Sequence, residues 1–305
     1  MSPREIKDMA ASVKNRLLVL SRERSERFVL TLTSYALERF LYRMSQSPHR
    51  DQFVLKGAMV LSVWTKQPHR STRDLDLLGL GESAVPHLED VFRDICNCQV
   101  VEDGLQFLPE TVRGEDIREE QEYGGVRIHI QGLLGKARIP VRIDIGFGDA
   151  ITPEPEEMVF PTLLDFPAPV LSTYPKESVV AEKLHAIVAL GMANSRMKDF
   201  YDLWVLAQSF SFDGQTLSSA ISATFGRRQT PIPQDVPTGL SDEFSGGSMK
   251  QTQWQAFTRK WNPTMGHPTL HQVVALLRDF LTPPTLSAGA RLPFKKTWQP
   301  PGPWG

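Results

Sequence analysis

The chain has only two cysteines in 305 residues, Cys96 and Cys98, one residue apart in "ICNCQ". That spacing excludes a disulfide framework, and without a second Cys or His pair it does not make a zinc site. The two read as small, partly buried side chains of a protein from a reducing compartment, the cytoplasm. No run of about 18 apolar residues occurs, so no membrane span is expected. The charged start, "MSPREIKDMAASVKNRLLVLSRERSERF", lacks the apolar centre of a secretory signal. Nor is there an excess of either charge: 34 basic against 35 acidic residues leave a net charge of -1. Such a balance offers no global attraction to nucleic acid, and any binding there needs a local basic patch. No internal repeat is visible.

What remains is an ordinary globular composition, 41% apolar and 23% charged, long enough for one large domain or two modest ones. Apolar spacing at Ile6, Met9, Val13 and Leu17, and again at Leu30, Tyr35, Leu37 and Leu41, predicts two helices over residues 5–45. "QFVLKGA" reads as a buried strand ending at Gly57, "AMVLSVWTK" as a packed helix beginning there, and "RDLDLLGL" as a second strand. "SAVPHLEDVFRDICN" is a helix with Ser83 as its N-cap and Pro86 in its first turn. "GVRIHIQGLL" and "ARIPVRIDIGFGD" make a hairpin.

Residues 150–177, rich in Pro and Glu, read as a passage between two lobes. Beyond it come helical signals interrupted by a long loop at 229–247 and closed by an irregular Pro-rich tail. The expected architecture is α/β (α+β): a mixed β-sheet flanked by helices over residues 1–160, then a mostly helical domain over 161–305.

"HRSTRDLDLLGLG" holds the first chemical signal. On a strand, Asp74 and Asp76 point to one face while Leu75 and Leu77 point to the other. Two neighbouring carboxylates repel unless a cation or a proton holds them together. Arginines, water or a metal ion could do so, and a D-x-D by itself also describes a solvated strand end.

Three features favour phosphate chemistry. Gly57 lets a phosphate approach the backbone just where a helix offers its free N–H groups. Lys56, Arg70 and Arg73 form a phosphate-compatible cluster. Asp144, in "VRIDIGFGD", shares a face with Arg142; beside the 74–76 strand it would be a third carboxylate for a two-metal in-line transfer. In the second lobe Lys183 could reach a triphosphate or lie along the surface, His185 reads as packed, and Asp199 with Asp202 shares one helical face. Arg227, Arg228, Arg259, Lys260, Lys295 and Lys296, near Trp254, Trp261 and Trp298, could contact an RNA backbone and its bases.

Taken in order, "FVLKGAMVL", "RSTRDLDLL", "VRIDIGFGD", "YPKESVVAEKLHAIV", "RMKDFYDLW" and "RRQTPIPQDVPTGLSDEFSGG…KQTQWQAF" resemble the AbiEii/AbiGii-type nucleotidyltransferase toxins. These belong to the polymerase-β-like nucleotidyltransferase superfamily and are related to the MenT toxins. The resemblance spans about residues 50–260 and implies a nucleotidyltransferase-like sheet, with the helical domain completing a cleft for nucleotide and acceptor. It also implies metal ligation by Asp74 and Asp76, with Asp144 as third carboxylate, and a phosphate-gripping turn at Gly57. Lys183 would bind nucleotide, and Asp202 would be an essential aspartate with Asp199 as its companion. Where the family commonly shows Gly-Gly or Gly-Ser, this chain has Gly57-Ala58; alanine keeps the backbone N–H, and Ser71 and Thr72 lie close in sequence.

The implied reaction is Mg²⁺- or Mn²⁺-dependent transfer of a nucleoside monophosphate from an NTP to an acceptor, the 3′ end of tRNA in characterised relatives. The implied partner is a winged-helix, AbiEi-like antitoxin encoded nearby. Two other readings of the same residues are a catalytically silent NTP-binding protein and a D-x-D glycosyltransferase. The latter leaves "EKLHA" and "KDFYD" without a role.

Overall fold

A computed structural model describes residues 8–65, 72–117, 124–259 and 267–305. The chain divides into one unit of Met1–Gly148 with Glu157–Thr173, and a second of Asp149–Glu156 with Tyr174–Gly305. Residues 161–173, assigned to the second domain from sequence, thus belong to the first unit. Among the described residues no helix is long and apolar enough to cross a membrane.

The first unit opens with α1 (Met9–Glu23), whose N-cap Asp8 accepts a hydrogen bond from Ala11 N at 2.9 Å, satisfying one of the helix's unpaired donors. Next come α2 (Phe28–Gln46), β1 (Phe53–Lys56), α3 (Ala58–Thr65), β2 (Asp74–Gly79) and α4 (Val85–Asn97). The N-cap of α4 is Ala84, without a side-chain bond, rather than the expected Ser83; Pro86 does sit in the first turn, where its missing N–H costs nothing. β3 (Leu105–Ile117), β4 (Gly125–Leu134), β5 (Ala137–Phe147), β6 (Glu156–Val159) and β7 (Val170–Thr173) complete the sheet, in the order β3-β4-β5-β2-β1-β7-β6.

The β4–β5 hairpin is as expected. β3, β6 and β7 are additions to the sequence reading: β3 is interrupted by an irregular register between Leu108 and Arg113, around Pro109, and β7 pairs with β1 out of the Pro-rich passage.

The sheet buries one face. Leu75 and Leu77 of β2, Ile143 and Ile145 of β5, and Val126 and Ile128 of β4 join Val13, Leu17, Phe40 and Phe92 from α1, α2 and α4 in one apolar core. Each aliphatic side chain so buried contributes about 1.5–3 kcal/mol. α2 also brings charge inside: Arg43 forks onto Asp103 at 2.8 and 3.0 Å, Arg39 adds a bond to Asp103 at 3.1 Å, and Glu38 meets Arg39 at 3.2 Å. Two cations and two carboxylates balance there, which is what makes their burial tolerable.

The second unit contains α5 (Lys176–Leu190), α6 (Met197–Ser209), β8 (Phe212–Asp213), α7 (Gly214–Arg227), α8 (Asp242–Gly246), α9 (Ser248–Thr258), α10 (Leu270–Ala290) and β9 (Thr297–Trp298). The expected loop at 229–247 contains a 3₁₀ turn, Thr238–Leu240, and the whole of α8. The tail is irregular over most of its length, as expected, but it is anchored. β9 pairs with β8, Trp298 Nε1 donates to Ala207 O at 2.8 Å, and Trp304 Nε1 to Phe280 O at 3.0 Å.

Candidate functional site

Period-two alternation along β2 puts Leu75 and Leu77 into the core and leaves Asp74 and Asp76 half-buried on the opposite, open face. The strand's neighbours decide what surrounds them. β1 runs antiparallel on one side and sets Lys56 opposite Asp76. β5 runs parallel on the other, setting Arg142 opposite Asp74 and Asp144 opposite Asp76. β4 then sets Arg127 opposite Asp144 and His129 opposite Arg142. The three aspartates named from sequence therefore lie on adjacent strands of one face.

Gly57 is built around Asp76. Its φ is +72°, in the left-handed region, and a Cβ there would stand 2.0 Å from Asp76 Oδ2 and 2.7 Å from Asp76 Cβ. Both the turn and the close approach therefore require glycine. α3 begins at the next residue, so the N–H groups of its first turn, from Ala58 on, have no partner within the helix. Ala58 is buried and Lys56 half-buried, while Arg73 is exposed; Arg70 and Ser71 lie outside the described residues. Thr72 uses its hydroxyl on Asp74 O at 3.1 Å.

Arginines neutralise two of the carboxylates. Arg127 forks onto Asp144, Nε to Oδ1 at 2.8 Å and Nη2 to Oδ2 at 2.9 Å, and this bonding holds the guanidinium above its ordinary pKa. Arg142 Nη2 makes an ion pair with Asp74 Oδ2. Among the described residues no three His, Cys, Asp or Glu side chains form a set able to hold a metal ion. Asp144 was expected as a third ligand; here both its oxygens are engaged by Arg127. Arg127 itself escaped the sequence reading. The alternation of "VRIHI" puts it on the open face, but its pairing to Asp144 depends on hairpin register.

In the second unit α5 presents Lys183 to α6. Its ammonium lies 2.6 Å from Asp199 Oδ1 and 2.9 Å from Asp202 Oδ2. Asp199 and Asp202 are both buried. One cation is thus held between two carboxylates.

His185 is packed, as expected. Its Nδ1 accepts from Arg228 at 3.2 Å and its Nε2 lies 2.8 Å from Thr230 Oγ1, which assigns the neutral tautomer with the proton on Nε2. Burial, aided by Arg228, lowers its pKa from 6.5 to about 4. Arg228 also bonds Asp149 at 3.2 Å and is thereby committed within its own unit rather than to RNA. Trp254 and Trp298 are buried and donate to Pro268 O and Ala207 O, so neither offers a face for base stacking. Arg227, Arg259, Lys295 and Lys296 are exposed; Lys260 and Trp261 lie outside the described residues.

The sequence profile described as "Nucleotidyl transferase AbiEii toxin, Type IV TA system" matches residues 39–275. The chain belongs to the AbiEii family. It is thus a nucleotidyltransferase of a toxin–antitoxin family, the class of protein that is paired with an antitoxin. No curated protein matches the sequence.

Among solved structures the chain is similar to JHP933 from Helicobacter pylori, at 14% identity over 83% of this chain and 89% of that one, with a TM-score of 0.44. It is similar too to an H. pylori protein provisionally named a nucleotidyltransferase, at 13% identity over 83% and 92% of the two chains, with a TM-score of 0.43. The AbiEii match includes β1, β2, β5, α5 and α6, the elements that carry Lys56, Asp74, Asp76, Asp144, Lys183, Asp199 and Asp202.

Proposed function

We propose that this AbiEii protein transfers a nucleoside monophosphate from an NTP to the 3′ end of tRNA in the cytoplasm, with Mg²⁺ or Mn²⁺ as cofactor. The observation that carries the reading is the closeness of Gly57 to Asp76, which puts a phosphate-binding turn against a carboxylate pair. Asp74 and Asp76 are hard oxygen donors on one face. Mg²⁺ is commonly bound by one or two carboxylates plus substrate phosphates rather than by an all-protein cage, so this donor set fits it. Asp144 would have to release Arg127 to become a ligand, so the metal is assigned to Asp74 and Asp76.

When bound, the cation neutralises phosphate charge and orients the reacting oxygens. The chain's own residues do the rest. N–H groups at the start of α3 bind the β- and γ-phosphates, as helix N-termini do for anions. Lys56 and Arg73, with Arg70 from its place in the sequence, add positive charge to that grip. Asp144, held beside Asp76, faces the attacking hydroxyl. Lys183 serves as a nucleotide-binding cation that Asp199 and Asp202 hold in the resting chain. The antitoxin is a winged-helix, AbiEi-like protein.

The test is label transfer from each α-labelled NTP to total tRNA, beside a folded Asp76→Ala variant. Label on tRNA that falls more than roughly a hundredfold in the variant supports the reading. Undiminished label in the variant refutes it. The ion pairs on Asp74 and Asp144 favour a second reading, a silent nucleotide-binding protein. Tight Mg·NTP binding with no label on any acceptor would select that one.

A further inference from the structure

The open face of the sheet carries a row of basic side chains that the proposed nucleotide site does not use. Arg113 of β3 stands opposite His129 of β4, His129 opposite Arg142 of β5, and Arg142 opposite Asp74 of β2. Adjacent strands lie roughly 4.8 Å apart, so the row runs about 14 Å from the sheet edge to the first aspartate. Arg138, four residues before Arg142 on β5, lies on the same face. Arg113, His129 and Arg138 are exposed, and Arg138 makes no ion pair among the described residues. His129 is tied to Glu115 at 3.1 Å, and Arg113 to the carbonyls of Glu110 and Val112, contacts that keep both rooted on the sheet. Arg142 pairs with Asp74 through Nη2, yet among the described residues its buried Nε has no hydrogen-bond partner. An arginine fork with one donor unmet, beside the aspartates, suits a second anionic oxygen once the side chain turns outward, since that Nε is buried.

Strand order says which substrate that oxygen belongs to. β2 lies between β1 and β5. Gly57 and the start of α3 follow β1, on one side of Asp74 and Asp76; Arg142, His129 and Arg113 lie on the other. Phosphoryl transfer puts the attacking and leaving oxygens roughly in line on opposite sides of the phosphorus. With pyrophosphate leaving on the Gly57 side, the acceptor hydroxyl arrives from the β5 side. The row is also longer than a triphosphate needs and continues outward to the sheet edge, as a track for a polymeric anion would.

We propose that Arg138, Arg142, His129 and Arg113 bind the phosphodiester backbone of the RNA acceptor and lead its 3′ end to Asp74 and Asp76. The proposal rests on the nucleotidyl-transfer reading above. The test measures binding of 5′-fluorescein-labelled tRNA by anisotropy across a salt series, and binding of a fluorescent NTP analogue with Mg²⁺. It compares the full chain with Arg138→Ala, Arg142→Gln, their double variant, and a Lys295→Ala/Lys296→Ala control.

The expected result is a loss of tRNA affinity of several-fold for each single variant and more than tenfold for the double. The slope of log affinity against log salt should flatten by about 0.7 per arginine removed if the bound strand is single. Nucleotide affinity should hold within twofold for Arg138→Ala, since Arg142 alone of the pair touches a proposed metal ligand. Because Arg138 is exposed and makes no ion pair among the described residues, its variant reads binding even if Arg142→Gln disturbs β2. Unchanged tRNA binding in the double variant overturns the proposal. So does a loss that appears in nucleotide affinity instead, or one confined to the Lys295/Lys296 control. Wild-type protein that binds tRNA through this row but labels none refutes the transfer reading and leaves the surface standing.

Discussion

Gly57→Ala is the substitution that most directly tests how the site is built. An alanine at φ +72° pays the left-handed penalty, about 1–2 kcal/mol. Its Cβ would also stand 2.0 Å from Asp76 Oδ2 and 2.7 Å from Asp76 Cβ. The second contact is to the root of the side chain, so swinging the carboxylate away does not relieve it; β1 and β2 must part or shift. Overpacking of this kind costs about 1–3 kcal/mol, which brings the expected destabilisation to about 3 kcal/mol.

In a unit of this size each kcal/mol lowers Tm by about 2–4 °C, so calorimetry should show the first unit melting about 6–12 °C earlier. Gly135→Ala supplies the matched control. Its φ is +59°, in the β4–β5 turn, and a Cβ there meets only Ala10 Cβ, at an ordinary 3.7 Å. It should cost the backbone penalty alone and leave label transfer near wild type. Gly57→Ala should abolish transfer well below its own Tm, because Asp76 is moved. Wild-type transfer by Gly57→Ala would refute the reasoning, as would equal inactivity of both variants.

Three further outcomes follow from buried titratable groups. Lys183→Met leaves Asp199 and Asp202 buried without their cation and should cost about 3–5 kcal/mol in urea unfolding. Adding Asp202→Asn should recover part of that loss, and a cost below about 1 kcal/mol would show that the triad carries little strain. Burial, opposed by Leu163 N–H and Arg39, raises Glu38 from 4.5 to about 7. The folded state then binds the extra proton, so stability from Glu38 is full below pH 4.5 and is lost as pH rises to about 7. Glu38→Gln should remove that slope from a pH series of urea melts. His185 acts in the opposite sense: its lowered pKa makes stability present above pH 6.5 and lost as pH falls toward about 4.

Much of the first unit could be read from local pattern. Alternation in "RDLDLLGL" and "ARIPVRIDIGF" sorts core from open face without knowledge of any partner strand, because side chains on a strand alternate by geometry alone. Gly57 between an apolar strand and an apolar helix marked a turn on similar grounds. The missed strands had no such signal. Pro109 and the charges of "PETVRGEDI" hide β3, while β7 is four residues inside a Pro-rich stretch and is held by its neighbour β1 rather than by its own pattern. The anchoring of the tail was hidden for a related reason: Pro and Gly mark its irregular backbone, but Trp298 and Trp304 are held by distant carbonyls of α6 and α10.

The sequence by itself determined which residues carry charge on which face, and the ordered blocks that mark an AbiEii protein. Only the tertiary structure decided their company. Strand order put Lys56 and Asp144 on opposite sides of Asp76, hairpin register aimed Arg127 at Asp144, and packing of α5 on α6 turned a pair of acidic residues into a buried clamp on Lys183. The reason is physical: side-chain direction is local geometry, whereas register and helix pairing are settled by burial summed over segments far apart in the chain.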